Sequence, residues 1–239
     1  MSTILITGAN RGLGLEFTRQ YAADGWTVIA CCRNTMGADE LNALAADADN
    51  NIRVEQLDVN DFAAIDALGD KLAGVPIDIL LNNAGVIGPI PIADNVERQH
   101  FGKMEYDVWS DVLRTNTFAP VKMAEVFLEN VAASEQKKIV NISSSVGSIS
   151  EMSVPALAYA SSKTALNRAM TIVAGLVKER GVVVAMFCPG YVKTRMDAFG
   201  YAMVEISESI AALKPMIAKL TIEDAGSFTG HDGRTITCA

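Results

Sequence analysis

The sequence predicts an α/β fold: a doubly wound, mostly parallel sheet with helices on both faces. Short apolar runs alternate with longer amphipathic stretches along the 239-residue chain, the pattern of strands joined by crossover helices. The runs are continuous, as in VVVAMF, which marks strands buried on both sides. The first run, ILIT, leads straight into a glycine turn, GANRGLG, and then a helical pattern.

Taken in order, the strands fall at 4–7, 27–31, 53–57, 79–82, 138–142 and 182–187, and SFTGHDGRTITCA supplies a seventh with a closing tail. Helical patterns occupy 13–24, 38–47, 61–73, 107–132 and 158–180. Right-handed crossovers join such strands, and a doubly wound arrangement is expected to order them 3-2-1-4-5-6-7 in a seven-stranded, largely parallel sheet. Two segments break the alternation. Residues 86–106, VIGPIPIADNVERQHFGKMEY, form an excursion punctuated by proline and glycine, and 191–222 read as a loop carrying one or two short helices. Both leave the carboxyl ends of strands, where open α/β sheets bind ligands; surface decoration is the simpler alternative. No repeat, low-complexity tract or linker divides the chain, so one domain spanning 1–239 is expected.

Half of the residues are hydrophobic and a fifth are charged, ordinary globular composition. A net charge of −8 and a pI near 4.8 exclude a general nucleic-acid surface. Local donors must therefore hold any anionic ligand. MSTILITGAN has neither a basic n-region nor a long apolar core, and no uncharged apolar stretch reaches membrane-spanning length, so neither a signal peptide nor a membrane span is expected. Cys31, Cys32, Cys188 and Cys238 show no metal-ligand or disulfide spacing. Packing roles and a reducing cytoplasm are expected.

Gly8, Gly12 and Gly14 lie between the first strand and the first helix. Glycine permits a tight turn and lets a pyrophosphate approach the backbone, while the helix N-terminus offers N–H donors and positive potential. The spacing departs from GxGxxG, and a close-packed turn would also use glycine. Its place at the head of a βαβ array favours a nucleotide. The end of the second strand chooses between cofactors. NAD sites usually put a carboxylate there for the ribose hydroxyls, whereas ACCRN puts Arg33 there, with no carboxylate before Asp39. With Arg11 inside the glycine turn, two guanidinium groups suit a 2′-phosphate, so NADP(H) is the expected cofactor. Asp58, in QLDVND, either caps the next helix, as Asn60 or Asp61 also could, or accepts from an adenine amino group.

AYASSKTALN places Tyr159 four residues before Lys163 among small side chains, so the two share one helix face. A phenol with a pKa of about 10 is a weak acid–base partner at neutral pH, and a neighbouring ammonium is expected to lower it. IVNISSSVG delivers Ser143, Ser144 and Ser145 to the end of the fifth strand, each able to donate to a substrate oxygen or to close a turn. Asn116, in LRTNTFAP, is a poor mid-helix residue just before Pro120, and a helix irregularity caused by that proline is the plain interpretation. In NNAG, Asn82 and Asn83 tie the loop to neighbouring strands, while Ala84 and Gly85 let a ribose approach. Pro189 and Gly190 stop the sixth strand. His100 and His231 lack metal-ligand partners, and ISSSVG is not GxSxG. Surface or packing roles are expected for both histidines, with no metal site.

The ordered set TGANRGLG, NNAG (82–85), Asn116, NISSSVG (141–147), YASSK (159–163) and PGYVKTRM (189–196) resembles the short-chain dehydrogenase/reductase family over nearly the whole chain. ANRGLG paired with ACCRN is most similar to its carbonyl-reductase group, which includes the sniffer and C-factor proteins. The resemblance implies a Rossmann-type fold and NADPH-dependent reduction of a carbonyl to an alcohol, with Asn116, Ser144, Tyr159 and Lys163 catalytic. Aligning Asn141 and Gly147 with the family's NxSSxxG pattern selects Ser144, with Ser143 the rival; the gap from Ser144 to Tyr159 is longer than in many members, leaving room for an insertion around SISEMSV. The family gives the Asn116 carbonyl a water linking Lys163 to solvent, and gives Lys163 the nicotinamide ribose hydroxyls. Cofactor contacts are implied for Gly8, Asn10, Arg11, Gly12, Leu13, Gly14, Arg33, Asp58, Val59, Asn83, Ala84, Gly85, Tyr159, Lys163, Pro189, Gly190, Val192 and Thr194, the last two toward the nicotinamide carboxamide.

Met196, Phe199, Tyr201 and Met203, with Ile149 and Met152, suggest an apolar pocket for a small-molecule aldehyde or ketone, unless they belong to the core. The competing functions are an NAD-dependent alcohol dehydrogenase working oxidatively and an NADPH-binding sensor or scaffold without turnover. The helices at 107–132 and 158–180 would build a homodimer or homotetramer by pairing across a two-fold axis, as in many family members, although some carbonyl reductases are monomers.

Overall fold

The computed structural model describes residues 1–47, 49–151, 154–197 and 200–238. Its strands are β1 (Thr3–Thr7), β2 (Thr27–Cys32), β3 (Ile52–Gln56), β4 (Ile79–Asn82), β5 (Lys138–Ile142), β6 (Val183–Cys188) and β7 (Phe228–Gly230). They form one sheet in the order β3-β2-β1-β4-β5-β6-β7, with every pairing parallel. This is the predicted Rossmann-type topology, and the sheet order reverses between β1 and β4.

Eight helices surround it among the described residues: α1 (Gly12–Ala23), α2 (Asp39–Ala46), α3 (Phe62–Lys71), the single turn α4 (Ile92–Asn95), α5 (Tyr106–Leu113), α6 (Ala119–Ala132), α7 (Leu157–Val177) and α8 (Ile206–Lys219). Successive strand residues face opposite sides, so the core splits into two layers. Leu5, Ile29, Leu80, Ile139 and Val184 pack against Ile65, Phe127 and Met170 from α3, α6 and α7. Ile4, Val28, Ile79, Val140 and Ala185 pack against Phe17, Leu41 and Leu213 from α1, α2 and α8. Cys31 and Cys32 fall in opposite layers, as adjacent strand residues must, and Cys238 is exposed.

The helix expected over 107–132 is broken. Between α5 and α6 the chain makes a π-helical turn, Arg114–Phe118, in which the Ala119 N–H reaches back five residues to the Arg114 carbonyl. Pro120 is the cause: it has no N–H to give the carbonyl four residues earlier, which is that of Asn116. The proline itself sits harmlessly in the first turn of α6. The excursion at 86–106 contains α4 followed by a 3₁₀ turn, Val96–Gln99, and the segment 191–222 contains one full helix, α8. Among the described residues no cluster of His, Cys, Asp or Glu could hold a metal. None of their helices is long and apolar enough to cross a membrane.

Candidate active site

The carboxyl end of β1 is fastened to that of β4. The Thr7 hydroxyl accepts from the backbone N–H groups of Asn83 and Ala84, both at 3.0 Å. The Asn83 amide donates to the carbonyls of Thr7 at 2.8 Å and Gly8 at 3.2 Å, the strand tie expected of it. Gly14 closes against this turn: a Cβ there would lie 2.2 Å from the Gly8 carbonyl oxygen, a clash no side chain could relieve. Glycine at 14 is therefore a packing requirement at the head of α1. That helix starts without a side-chain cap, so the N–H groups of its first turn stay available to an anion.

The Ala9 N–H donates to the Cys31 carbonyl at 2.9 Å, bringing the glycine turn beside the end of β2. Arg11 and Arg33 stand at this edge, both exposed, with no carboxylate partner among the described residues. Asp58 does not cap α3. Asp61 does, accepting the Ala64 N–H at 3.1 Å, while Asp58 turns the chain by accepting the Asn60 N–H at 3.0 Å, beside the buried Val59.

Beyond β6, Gly190 takes a left-handed φ of +85°, and the loop folds back so that Val192 bridges Val204. Thr194 then reaches the glycine turn, its methyl 3.8 Å from where a Cβ on Gly12 would sit. His231 packs over Gly190, in keeping with a packing role.

The remaining residues gather where β4, β5, the π turn and α7 meet. Ser143 is turned away and buried, its hydroxyl donating to Asn167 Oδ1 at 2.6 Å. Ser144 caps the following 3₁₀ turn, its hydroxyl accepting the Val146 N–H at 3.4 Å, and lies close enough to the Tyr159 hydroxyl to favour its ionisation. Tyr159 is partly buried. Lys163 is 5 % exposed; its ammonium donates to the Ile142 carbonyl at 2.9 Å and stands 6.0 Å from the centroid of the Tyr159 ring. A Cβ on Gly85 would lie 3.4 Å from Asn116 Oδ1 and 3.7 Å from Lys163 Nζ. NNAG thus runs directly past the lysine. Asn116 spends its side chain on Val86, accepting from the backbone N–H at 2.9 Å and donating to the carbonyl at 2.7 Å. Its main-chain carbonyl lacks the N–H that any residue but proline at 120 would offer it.

The expectation that the ammonium acidifies the phenol does not hold in the protein chain by itself. Burial pushes Tyr159 up to about 12; the neighbouring Ser144 hydroxyl pulls it down and Cys188 adds to the rise. Burial also pushes Lys163 down to about 8. Each charge is penalised by desolvation more than it is helped by its neighbours. At neutral pH the phenol therefore holds its proton. Cys188, expected only to pack, has its thiol among these groups, accepting the Ser145 N–H at 3.2 Å.

Ile149, Met196, Tyr201 and Met203 are all exposed on the loops that follow β5 and β6 and so do not belong to the core; Met152 and Phe199 lie outside the described residues. Two participants escaped the sequence reading. Thr7 carried a signal, since it precedes the first glycine. Gln99, whose amide oxygen accepts the Tyr159 backbone N–H at 3.1 Å, carried none.

Comparison with known proteins follows this geometry. The family model described as short chain dehydrogenase matches residues 2–203. The (+)-neomenthol dehydrogenase of Arabidopsis thaliana is 33 % identical over 161 residues, covering 61 % of this chain and 54 % of that one; the chain thus spans about half of that relative's length. Among solved structures, an NADPH-bound carbonyl reductase from chicken fatty liver superposes with a TM-score of 0.88 at 30 % identity, over 99 % of each chain. The carbonyl reductase Sniffer of D. melanogaster gives a TM-score of 0.86 at 28 % identity, again over 99 % of each chain.

Proposed function

Because this chain belongs to the short-chain dehydrogenase family, we propose that it reduces the carbonyl of an aldehyde or ketone to an alcohol with NADPH, as a single catalytic domain. The observation that carries this proposal is the convergence of Ser144 and Tyr159 with the buried Lys163, whose ammonium stands 6.0 Å from the Tyr159 ring centroid, at the ligand-binding end of the sheet. Two donors aimed at one point are what a carbonyl oxygen needs as it gains negative charge.

The donor set fits the cofactor. The uncapped N-terminus of α1 would hold the pyrophosphate, Arg11 and Arg33 the 2′-phosphate, and Lys163 the nicotinamide ribose. NADPH, when bound, supplies the hydride. Tyr159, protonated at neutral pH, gives its proton to the substrate oxygen, and Ser144 orients that oxygen. Lys163 places a positive charge beside the phenol as it turns anionic. Asn116, through the carbonyl that Pro120 leaves without a partner, would hold the water that returns a proton from solvent.

The test is carbonyl-dependent loss of reduced-nicotinamide absorbance over a panel of aldehydes and ketones. NADPH binding with no turnover on any carbonyl would instead indicate a sensor. Arg33→Asp checks the cofactor: fluorescence titration is expected to show NADPH bound about tenfold to a hundredfold more weakly, with NADH little changed, because a bidentate charged contact is lost and a like charge introduced. A wild-type preference for NADH would defeat the assignment.

A further inference from the structure

We propose that Gln99 is a positioning residue for the reaction, holding Tyr159 in place by serving as the distant cap of the helix that carries it. This rests on Tyr159 being the proton donor.

α7 begins at Leu157 with Ala156 before it, and no side chain of its own caps it. A helix start leaves its first N–H groups without partners, and the third is the usual target of a capping oxygen. Here the third residue is Tyr159. Its N–H goes to Gln99 Oε1 at 3.1 Å, a contact 60 residues back in the excursion after β4. The other end of the same amide donates to the Ile87 carbonyl at 2.7 Å. Gln99 is 1 % exposed, and burying an amide this deeply is tolerable only when both ends are bonded. Both are.

The other end of the tether is itself fixed. Ile87 follows Val86, whose N–H and carbonyl are both taken by the Asn116 side chain. Gln99 therefore joins the backbone of Tyr159 to the segment that Asn116 clamps beside Lys163. The chain makes room for it: Gly88 has a φ of +143°, and a Cβ there would lie 2.4 Å from Gln99 Nε2. Any side chain at 88 would displace the amide.

Gln99→Met keeps the shape and removes both bonds. It is expected to lower kcat about tenfold to a hundredfold through misplacement of the phenol, while NADPH Kd and substrate KM stay within about twofold. With kcat referred to NADPH-binding sites counted in the same titration, a loss of folded protein cannot mimic that split. Amide hydrogen exchange, followed by NMR without cofactor, is expected to quicken at Tyr159 by about fivefold, the worth of one hydrogen bond. Gly88→Ala, which pushes the amide aside and leaves Gln99 intact, is expected to reproduce both effects. Wild-type kcat in both variants, or wild-type exchange at Tyr159 in both, would overturn the proposal. Tyr159→Phe measured alongside separates the two ideas: full activity there strikes down the reaction, whereas the exchange rate judges the Gln99 cap whatever the chemistry.

Discussion

Tyr159→Phe is expected to lose about a thousandfold in kcat for carbonyl reduction while binding NADPH as the wild type does. A positioned acid contributes about 10² to 10⁴ in rate, and a thousandfold corresponds to about 4 kcal/mol of barrier. The substitution removes one oxygen and keeps the ring, so the packing of α7 against its neighbours survives. What goes is the proton source beside Ser144. The phenol sits at about 12 in the protein chain, so at neutral pH it carries the proton that reduction needs, and almost none of it is in the phenolate form that oxidation needs. Reduction should accordingly outpace alcohol oxidation at pH 7, and oxidation should climb as pH rises toward the phenol's pKa. Steady-state rates in both directions, with cofactor titration by fluorescence, measure all of this. Undiminished turnover by Tyr159→Phe would end the catalytic assignment.

Lys163→Met is expected to abolish activity and to change how stability responds to pH. The lysine titrates at about 8 when folded, against an ordinary value of 10.5. Below pH 8 both folded and unfolded chains hold the proton, and the cost of burying the charge is fully present. Between 8 and 10.5 the unfolded chain binds more protons than the folded one, so stability rises with pH. By pH 10 the wild type should have gained roughly 2–3 kcal/mol relative to its value at pH 7, a gain the methionine variant lacks. The opposing loss from Tyr159, whose raised pKa costs stability above pH 10, is common to both proteins and cancels in the comparison. Urea unfolding of the two proteins at pH 7 and pH 10 gives the numbers. Parallel curves would mean that the buried ammonium is not perturbed.

The fold was legible because its signals are local. Continuous apolar runs and a glycine turn placed all seven strands and their order, and two arginines with no competing carboxylate nearby pointed to the cofactor. Much of the site was legible for the same reason, since Tyr159 and Lys163 lie one helical turn apart and Asn116 announces itself four residues before a proline. Asp58 was ambiguous because a helix cap and an adenine acceptor use the same side chain, and only the geometry of Asn60 and Ala64 removes the cap. The direction of the Tyr159 shift was illegible: a neighbouring cation shows in sequence, but the depth of burial that outweighs it does not. Gln99 was invisible for a related reason. It lies in a stretch with no periodicity, and its partner is 60 residues away.

The π turn at Arg114–Phe118 carries one residue more than a regular helix would need there. Each residue turns a helix by about 100°, so deleting any of the five would change the phase of α5 against α6 and leave Pro120 inside a continuous helix. It would also swing Trp109 and the rest of α5 around the axis and pull Asn116 off Val86. This is a length-intolerant stretch between two helices, where a single-codon deletion would dismantle the centre it serves.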